Sequence, residues 1–288
     1  MNNSPINSSD DFTRVPIQLL YNPPQKGDFP SQSFNNWRNG LKNVLSSVES
    51  SSKRHERNPI VLFLNDKYVC TYDMYPKAKY HMLLMRRKIN THIGNLTHLN
   101  TLNDLDSSNL HELREFHALG RAIATQILEY HRTHEMSRNP PIIMKVGYHA
   151  IPSMEPLHLH IISSDLDSAC ITKREHVVSF TSPLFFVEAE AVEQHLESAF
   201  TSSIALTIRK DRAQSIRSYT PMMCVRCGKA AVSVPDWKRH NKQCNKLPTK
   251  KESSGRLNSL LGWRRAVVLG EDADGADLIK VGSKKKLA

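Results

Sequence analysis

The segment at residues 147–162, GYHAIPSMEPLHLHII, constrains the fold of this chain more than any other. In its second half, apolar residues alternate with two histidines in the order Leu157, His158, Leu159, His160, Ile161. Alternation with a period of two predicts a half-buried strand with both imidazoles on its polar face. Because a strand rises about 3.3 Å per residue, the two rings would lie roughly 6–7 Å apart. Both could therefore contact one small anionic group such as a phosphate.

The loop that leads into this strand carries two more groups that suit a phosphate. Pro152 and Pro156 disfavour a helix there, while His149 and Ser153 offer an imidazole and a hydroxyl. On the strand alone, a His-x-His pair is often only an exposed polar face or half of a metal site. The added loop residues favour nucleophilic or acid–base chemistry instead.

The alternation around His158 and His160 resembles the histidine-triad signature of nucleotide hydrolases and transferases. Within that superfamily, residues 147–154, GYHAIPSM, resemble the aprataxin family of DNA deadenylases. This resemblance implies an α+β histidine-triad domain in which helices pack on an antiparallel sheet. It also implies a catalytic set of four residues, His158, His160, His149 and Ser153. In this set His158 attacks the phosphorus, and the other three side chains bind the phosphate oxygens. The chain departs from the family at Pro156, which stands where the triad has its first histidine.

A second block, residues 73–81 with the sequence DMYPKAKYH, resembles the same family along its whole length. The resemblance implies that Asp73 accepts hydrogen bonds from an adenosine ribose. It implies that three further side chains face the phosphates and the nucleic-acid backbone, namely Lys77, Lys79 and His81. Without the resemblance, Asp73 would be interpreted as a turn former and the lysines as solvated. Residues 165–168 and 179–186 also resemble the family, but their own chemistry indicates no role.

The net charge of +11 is concentrated in the C-terminal part of the chain. Residues 1–204 hold 20 Lys and Arg against 21 Asp and Glu, whereas residues 205–288 hold 19 against 7. This distribution predicts a polyanion-binding module attached to a nearly neutral body. For the last dozen residues, a solvated basic tail is the preferred interpretation.

The C-terminal part contains the pattern Cys-x2-Cys-x12-His-x3-Cys, formed by Cys224, Cys227, His240 and Cys244. A Cys-x2-Cys turn can hold one metal ion, and ligands four apart lie on one face of a helix, so the set predicts a Cys2HisCys zinc finger. The alternative is an incidental cluster of reduced thiols. With four protein ligands the Zn²⁺ would be structural, and no catalytic metal is expected. Family members carry a C-terminal zinc finger, and Cys244 replaces the histidine of the animal proteins.

Basic residues surround this predicted finger. We expect Arg226, Lys238 and Arg239 to contact DNA phosphates, together with Lys229 and Lys242. Trp237 is predicted to stack on a base or to pack in the finger. Because one finger of this size reads little sequence, strand-end recognition is favoured over a sequence code.

The first 31 residues are rich in Asn, Ser, Pro and Asp and are predicted to be disordered. Ser33 then resembles an N-cap for a helix with an apolar stripe, namely Phe34, Trp37, Leu41, Val44 and Leu45. Such a stripe usually packs in a core, and we expect this of Trp37 and Leu41. By resemblance to the N-terminal helix of fungal family members, Phe34 is expected to stack on a base at a DNA end.

Other patterns predict the remaining elements. A hairpin is expected over residues 60–72, a long helix over 106–134, a strand over 142–146 and a helix over 189–200. The histidines of the long helix fall mostly off its apolar stripe and are expected at the surface: His111, His117, His131 and His134. Cys70 and Cys170 are expected to be buried free thiols in a reduced compartment. Neither a secretory leader nor a membrane span is recognisable, so a soluble intracellular protein without membrane partners is expected.

These patterns predict a disordered tail (1–31), a catalytic domain (32–204), a basic zinc-finger module (205–247) and a flexible basic tail (248–288). The predicted function is removal of AMP from 5′-adenylated DNA ends through a covalent AMP–histidine intermediate, in the nucleus, with nicked DNA as partner and AMP as product. Two alternatives stay open: a hydrolase of nucleotide phosphoramidates or dinucleotides, and a non-catalytic DNA-binding protein. The sequence does not identify which repair proteins would bind this chain.

Overall fold

The computed structural model describes residues 23–24, 28–29, 37–50, 58–87, 99–135, 142–198 and 210–244. These residues form the predicted α+β fold, with helices packed on an antiparallel sheet. Ser33, Phe34 and residues 248–288 lie outside them. Phe29 is described and is buried in the main core, although the sequence predicts disorder for residues 1–31.

Six strands form the main sheet in the spatial order β1-β2-β3-β5-β4-β6, with antiparallel neighbours throughout. They are β1 (Val61–Leu64), β2 (Tyr68–Tyr72), β3 (His81–Arg86), β4 (Met144–His149), β5 (His158–Ser163) and β6 (Phe186–Glu188). Asn65 closes the predicted β1–β2 hairpin, because its Oδ1 accepts hydrogen bonds from the backbone N–H groups of Lys67 and Tyr68, at 2.9 and 2.6 Å. The central position of β5 brings the histidine segment between β3 and β4.

Six helices accompany the strands: α1 (Gly40–Ser50), α2 (Leu110–His134), α3 (Arg174–Thr181), α4 (Ala189–Ser198), α5 (Lys210–Tyr219) and α6 (Val234–Gln243). The long helix α2 starts later than predicted because a 3₁₀ turn at residues 107–109 precedes it. Asp106 caps that turn through a 2.8 Å hydrogen bond from the Ser108 N–H. Leu41, Val44 and Leu45 of α1 are buried, as the apolar stripe predicts.

Helix α2 packs against the apolar face of β5. Gly120 allows this close approach, because a Cβ at that position would lie 2.7 Å from Leu159 Cδ2 and 3.2 Å from Val146 Cγ1. The helix therefore covers the side of β5 that carries Leu159 and Ile161, and the histidines occupy the opposite side.

Two expectations about the burial of histidine-bearing elements were wrong. All six residues of β5 are buried, so the strand is covered on both faces rather than half-buried. His117 and His131 of α2 are also buried instead of lying at the surface. His117 is accommodated because Nδ1 lies 2.6 Å from Glu193 Oε1 and Nε2 lies 2.8 Å from Tyr148 Oη. Burial lowers the pKa of His117 to about 4, against the opposing effect of Glu193.

The C-terminal module shares a core with the body of the protein. Its short hairpin, β7 (Met222–Met223) with β8 (Ala230–Ala231), and helix α6 pack beside α3 and α5. Trp237 is fully buried in this second core, which also contains Ala78, Leu166 and Phe180 from the body. Of the two roles predicted for Trp237, the structure shows packing.

Cys70 is buried and free, as predicted. Cys170 is free but only half-buried, because it lies on the loop between β5 and α3, so its predicted burial was wrong. Within the described part of the chain, no helix has both the length and the apolar character that a bilayer crossing requires.

Candidate active site and metal centre

Three histidines meet on the face of the sheet opposite α2. Gly147 of β4 pairs with His160 of β5, so His149, two residues further along β4, lies on the same face. The ring centroid of His160 lies 4.3 Å from that of His149 and 4.9 Å from that of His158. The side chains are closer together than strand spacing alone predicts.

Two phenylalanines cover these rings. Phe180 of α3 has its ring centroid 4.6 Å from that of His149 and 5.5 Å from that of His160, and the Phe186 centroid lies 6.3 Å from that of His149. Lys145 Nζ donates a 2.9 Å hydrogen bond to the Phe180 carbonyl and lies 4.4 Å from the Phe186 ring centroid. Sequence reasoning missed these three residues. For the two phenylalanines, family resemblance in the 179–186 segment was the available signal, but it indicated no role.

His158 is held by the backbone. Its Nδ1 lies 2.8 Å from the carbonyl oxygen of Pro156, which can only accept a hydrogen bond. Nδ1 therefore carries the proton, and in the neutral ring Nε2 keeps its lone pair. Burial lowers the pKa of His158, while the hydrogen bond to Pro156 and the charge of Asp73 oppose that effect. A buried neutral imidazole with a free Nε2 is suited to nucleophilic attack.

His81, which was expected to face the phosphates and the nucleic-acid backbone, is buried against His160. It pairs with Ile162 across β3 and β5, which makes it a diagonal neighbour of His160. The Lys77 N–H donates to His81 Nδ1 at 3.1 Å, so the proton of the neutral ring lies on Nε2. His81 Nε2 then donates to His160 Nδ1, 2.9 Å away. Burial lowers the pKa of His81 to about 4, although Asp73 acts in the opposite direction.

This chain of hydrogen bonds determines which ring nitrogen of neutral His160 carries the proton. Because His160 Nδ1 accepts from His81, its own proton lies on Nε2. That atom and His149 Nε2 are buried and have no hydrogen-bond partner within the described residues. Burial, reinforced by the neighbouring histidines, holds the pKa of both rings well below the usual value. Buried polar atoms without partners are rare in folded proteins and mark a place where a ligand oxygen would satisfy them.

The remaining predicted substrate contacts surround these rings. Asp73 Oδ1 accepts a 2.6 Å hydrogen bond from the Tyr75 N–H, so the carboxylate does form a turn, and Oδ2 lies 3.6 Å from His81 Nδ1. Lys77 Nζ donates to the Tyr75 carbonyl. Lys79 Nζ lies 2.7 Å from Glu135 Oε2. Ser153 is exposed on the loop between β4 and β5.

The four predicted metal ligands converge. The ligand atoms of Cys224, Cys227, His240 and Cys244 all lie within 4.8 Å of one another, and Cys227 Sγ lies 3.2 Å from His240 Nε2. The first two cysteines lie on a tight turn in which the Gly228 N–H donates to the Cys224 carbonyl at 2.8 Å, with Gly228 at φ 71°. Helix α6 supplies His240, Cys244 is its C-cap residue, and Pro235 lies in its first turn as predicted. Three thiols and an imidazole in this arrangement can hold one metal ion.

The basic residues of the finger have different surroundings. Arg226 is 3 % exposed and donates to the carbonyls of Asn241 and Cys244, so it closes the finger. Its predicted phosphate contact is not compatible with that burial. Lys238 Nζ donates to the Ser168 carbonyl at 3.2 Å, whereas Arg239 and Lys242 extend into solvent, with 69 % and 64 % of their side chains exposed. Lys229 is exposed as well.

The fold and site together define a histidine-triad-like α+β protein with a Cys3His cluster that can hold a metal ion. In agreement, residues 46–176 match the family model described as "Scavenger mRNA decapping enzyme C-term binding". The chain belongs to the aprataxin-like family, because it is 33 % identical to the Aprataxin-like protein of Schizosaccharomyces pombe over 180 residues, 60 % of this chain and 69 % of that protein.

Two further comparisons agree with this assignment. Aprataxin from Danio rerio is 27 % identical over 239 residues, which is 83 % of this chain and 63 % of that protein. The solved structure of the aprataxin ortholog Hnt3 in complex with DNA is similar with a TM-score of 0.52 and 26 % identity, over 79 % of this chain and all of that one. The chain covers only 20–63 % of the length of the first three curated relatives.

Proposed function

We propose that this protein is a DNA repair hydrolase that removes AMP from 5′-adenylated DNA ends. Its catalytic unit would lie within residues 32–204 and its DNA-binding finger within 205–247. The observation that carries the proposal is the arrangement of His158, whose Nε2 lone pair is free, beside two buried ring nitrogens that have no partner within the described residues. A nucleophile next to two unsatisfied groups for binding oxygen is what a phosphoryl-transfer site requires.

In the first step, the Nε2 lone pair of His158 forms a bond to the adenylate phosphorus. The bond from that phosphorus to the bridging oxygen breaks, and the oxygen leaves as part of the DNA 5′-phosphate. This leaving group needs no proton at neutral pH, since the second pKa of a phosphate monoester is about 6. The Pro156 carbonyl, which accepts from Nδ1, stabilises the positive charge that develops on the ring.

In the second step, water attacks the phosphorus of the AMP–histidine intermediate. The P–N bond breaks, its electron pair returns to Nε2, AMP leaves, and the proton lost from water passes to solvent. His160 supports both steps as a neutral donor, because its Nε2–H faces no acceptor within the described residues. His149, whose ring centroid lies 4.3 Å from that of His160, would bind a second phosphate oxygen. Fixed donors at the site of developing negative charge lower the barrier without reorganisation.

Substrate contacts outside the imidazoles follow the family resemblance. Asp73 would bind the adenosine ribose through Oδ2, since Oδ1 is engaged by the Tyr75 N–H. Ser153 would reach the phosphate from its exposed loop. Lys77 and Lys79 would approach the DNA phosphates after releasing their present partners, Tyr75 and Glu135.

DNA is the proposed partner because the C-terminal part of the chain is strongly basic and the similar Hnt3 structures are described as complexes with DNA. Arg239 and Lys238 would contact phosphates, and Phe34 would stack on the base at the broken end. Zinc is the proposed structural metal, because three thiolates and one imidazole suit Zn²⁺. A nuclear location and a role in single-strand break repair follow from that substrate.

A nicked duplex with a 5′-adenylate tests the proposal. The wild-type protein should release AMP and leave a 5′-phosphate, and no alkali-stable, acid-labile AMP should remain bound to His158→Ala after denaturation. His111→Ala, a change of an exposed histidine on α2, serves as the matched control and should keep full activity.

Three results separate the possible functions. Loss of AMP release in His158→Ala, with nicked-duplex binding retained, agrees with the proposal. Faster turnover of free adenosine 5′-phosphoramidate than of the adenylated nick would favour a small-molecule hydrolase. Full activity in the alanine variant would rule out the nucleophile, and DNA binding without any AMP release by the wild type would favour a non-catalytic protein.

A further inference from the structure

Residues 165–168 follow strand β5 in the chain and form hydrogen bonds to the loop that carries Asp73. We call residues 73–80, between β2 and β3, the 73–80 loop. Asp165 Oδ2 accepts a 2.9 Å hydrogen bond from the Lys79 N–H, and Oδ1 accepts from the Ser163 hydroxyl. Ser168 Oγ donates to the Pro76 carbonyl. One short segment therefore fixes both the middle and the end of the 73–80 loop.

The opposite side of this segment contacts the metal finger. Asn241 of α6 is 2 % exposed, and its Nδ2 donates to the backbone carbonyl of Asp165. Lys238, one helical turn earlier, donates to the Ser168 carbonyl. Leu166 is buried in the same core as Trp237 and Ala78, so apolar contacts join the finger, the segment and the 73–80 loop.

The backbone of the segment is strained. Leu166 has φ 43°, in the left-handed region that is unfavourable for a residue with a branched side chain. Such a conformation persists only where surrounding contacts enforce it. Here the enforcing contacts come from the finger on one side and the 73–80 loop on the other.

The 73–80 loop determines the chemistry of the histidines. The Lys77 N–H sets the proton position of His81, and His81 sets that of His160. The Asp73 N–H donates to the His81 carbonyl at 3.0 Å, which holds the backbone of Asp73, the proposed ribose-binding residue, next to His81. A displacement of the loop would therefore disturb both the proposed phosphate donor and the proposed ribose acceptor.

We propose that the finger positions the active site through the contact between Asn241 and Asp165, in addition to binding DNA. Asn241 is a positioning residue, since it touches neither substrate nor the reacting histidines. The activity part of this inference rests on the proposed function, whereas the structural part does not. It predicts that the finger affects turnover of a substrate that has no DNA strand.

The test compares Asn241→Asp with Gln243→Glu in the full-length chain. Both replace an amide with a carboxylate on α6, but Gln243 is exposed and Asn241 is buried. A carboxylate at 241 would face the Asp165 carbonyl with no proton to donate. We expect kcat/KM for adenosine 5′-phosphoramidate to fall about tenfold to a hundredfold in Asn241→Asp, and to stay at the wild-type value in Gln243→Glu.

Amide hydrogen exchange measured by NMR gives a readout independent of activity. In Asn241→Asp, exchange of the Lys77 and Lys79 amides should accelerate, while the Gly228 and Trp237 amides of the finger and the metal content stay unchanged. General unfolding of the finger would accelerate all four amides. In that event Ser168→Ala, which leaves the finger intact and removes the hydroxyl bonded to Pro76, should accelerate Lys77 and Lys79 alone.

Unchanged exchange at Lys77 and Lys79 in an Asn241→Asp protein whose finger stays folded would overturn the inference. If the finger unfolds in that variant, unchanged exchange of both amides in Ser168→Ala would overturn it. Wild-type turnover of phosphoramidate in Asn241→Asp would overturn the activity part. These outcomes are distinct from failure of the proposed function. If the proposed function is wrong, the wild-type protein releases no AMP from the adenylated nick. Faster loop exchange in such a protein would still support the structural link.

Discussion

Gly147→Ala is the substitution for which the structure gives the clearest expected cost. A Cβ on Gly147 would lie 2.4 Å from the Val187 carbonyl oxygen and 3.0 Å from Glu188 Cα. Since real Cβ atoms stay at least 3.0 Å from such atoms, β4 and β6 must separate by 3.0 − 2.4 = 0.6 Å or more. The obstacle is backbone, so no rotamer change can relieve it.

The strand that yields should be β6. It is three residues long and lies at the edge of the sheet, whereas β4 is also held by β5 through four residue pairs. Overpacking of this kind costs about 1–3 kcal/mol, and each weakened ladder hydrogen bond adds about 1 kcal/mol. We expect a loss of about 3 kcal/mol in the free energy of unfolding and a fall of about 6–12 °C in Tm.

Thermal and urea unfolding of three glycine variants provide the measurement. Gly40→Ala is the control, because its Cβ would meet only Met154 Sδ at 3.7 Å, an ordinary contact in a helix where alanine is favoured. Gly120→Ala should be intermediate, since the flexible Leu159 side chain can move. The reasoning is refuted if Gly147→Ala has the same Tm and the same urea midpoint as Gly40→Ala, or if Gly120→Ala is the least stable of the three variants.

Two further predictions concern protons and metal. Because burial lowers the pKa of His158, Nε2 stays unprotonated as the pH falls through 6.5. The single-turnover rate of AMP release should therefore decline only at more acidic pH, and a rate already halved at or above pH 6.5 would contradict this prediction. If the Cys3His cluster holds zinc, as proposed, a chelator should expose Trp237 and shift its emission to the red in a background without Trp37 and Trp263. Cys227→Ala should behave alike and Cys170→Ala serves as control, whereas unshifted emission after metal loss would contradict the stabilising role.

The parts of the fold that the sequence predicted are those governed by local chemistry. The β1–β2 hairpin depends on Asn65, and the finger depends on four ligands whose spacing alone requires a turn followed by a helix. The histidine strand was recognised from its period of two. Each pattern lies within about twenty residues of chain, which is why it can be recognised without knowledge of tertiary contacts.

The errors concern polar residues whose burial depends on distant partners. His117 looked like a surface residue because its partner Glu193 lies 76 residues away and Tyr148 lies 31 away. His81 and Arg226 were interpreted as cations for phosphate, but one is paired across the β3–β5 register and the other closes the finger. No periodicity reports such pairings, because only the folded sheet and the finger bring the partners together.

The departure at Pro156 can now be explained by the backbone. The group that orients His158 is the carbonyl of residue 156, at 2.8 Å from Nδ1, and every amino acid supplies a carbonyl. Proline lacks an N–H and so loses a donor, but it keeps this acceptor. Replacement of the triad's first histidine therefore leaves the proton on Nδ1 and the lone pair on Nε2. What the side chain of a histidine at 156 would add is a titrating group beside His158, and Pro156→His should change the pH dependence of AMP release more than its rate at neutral pH.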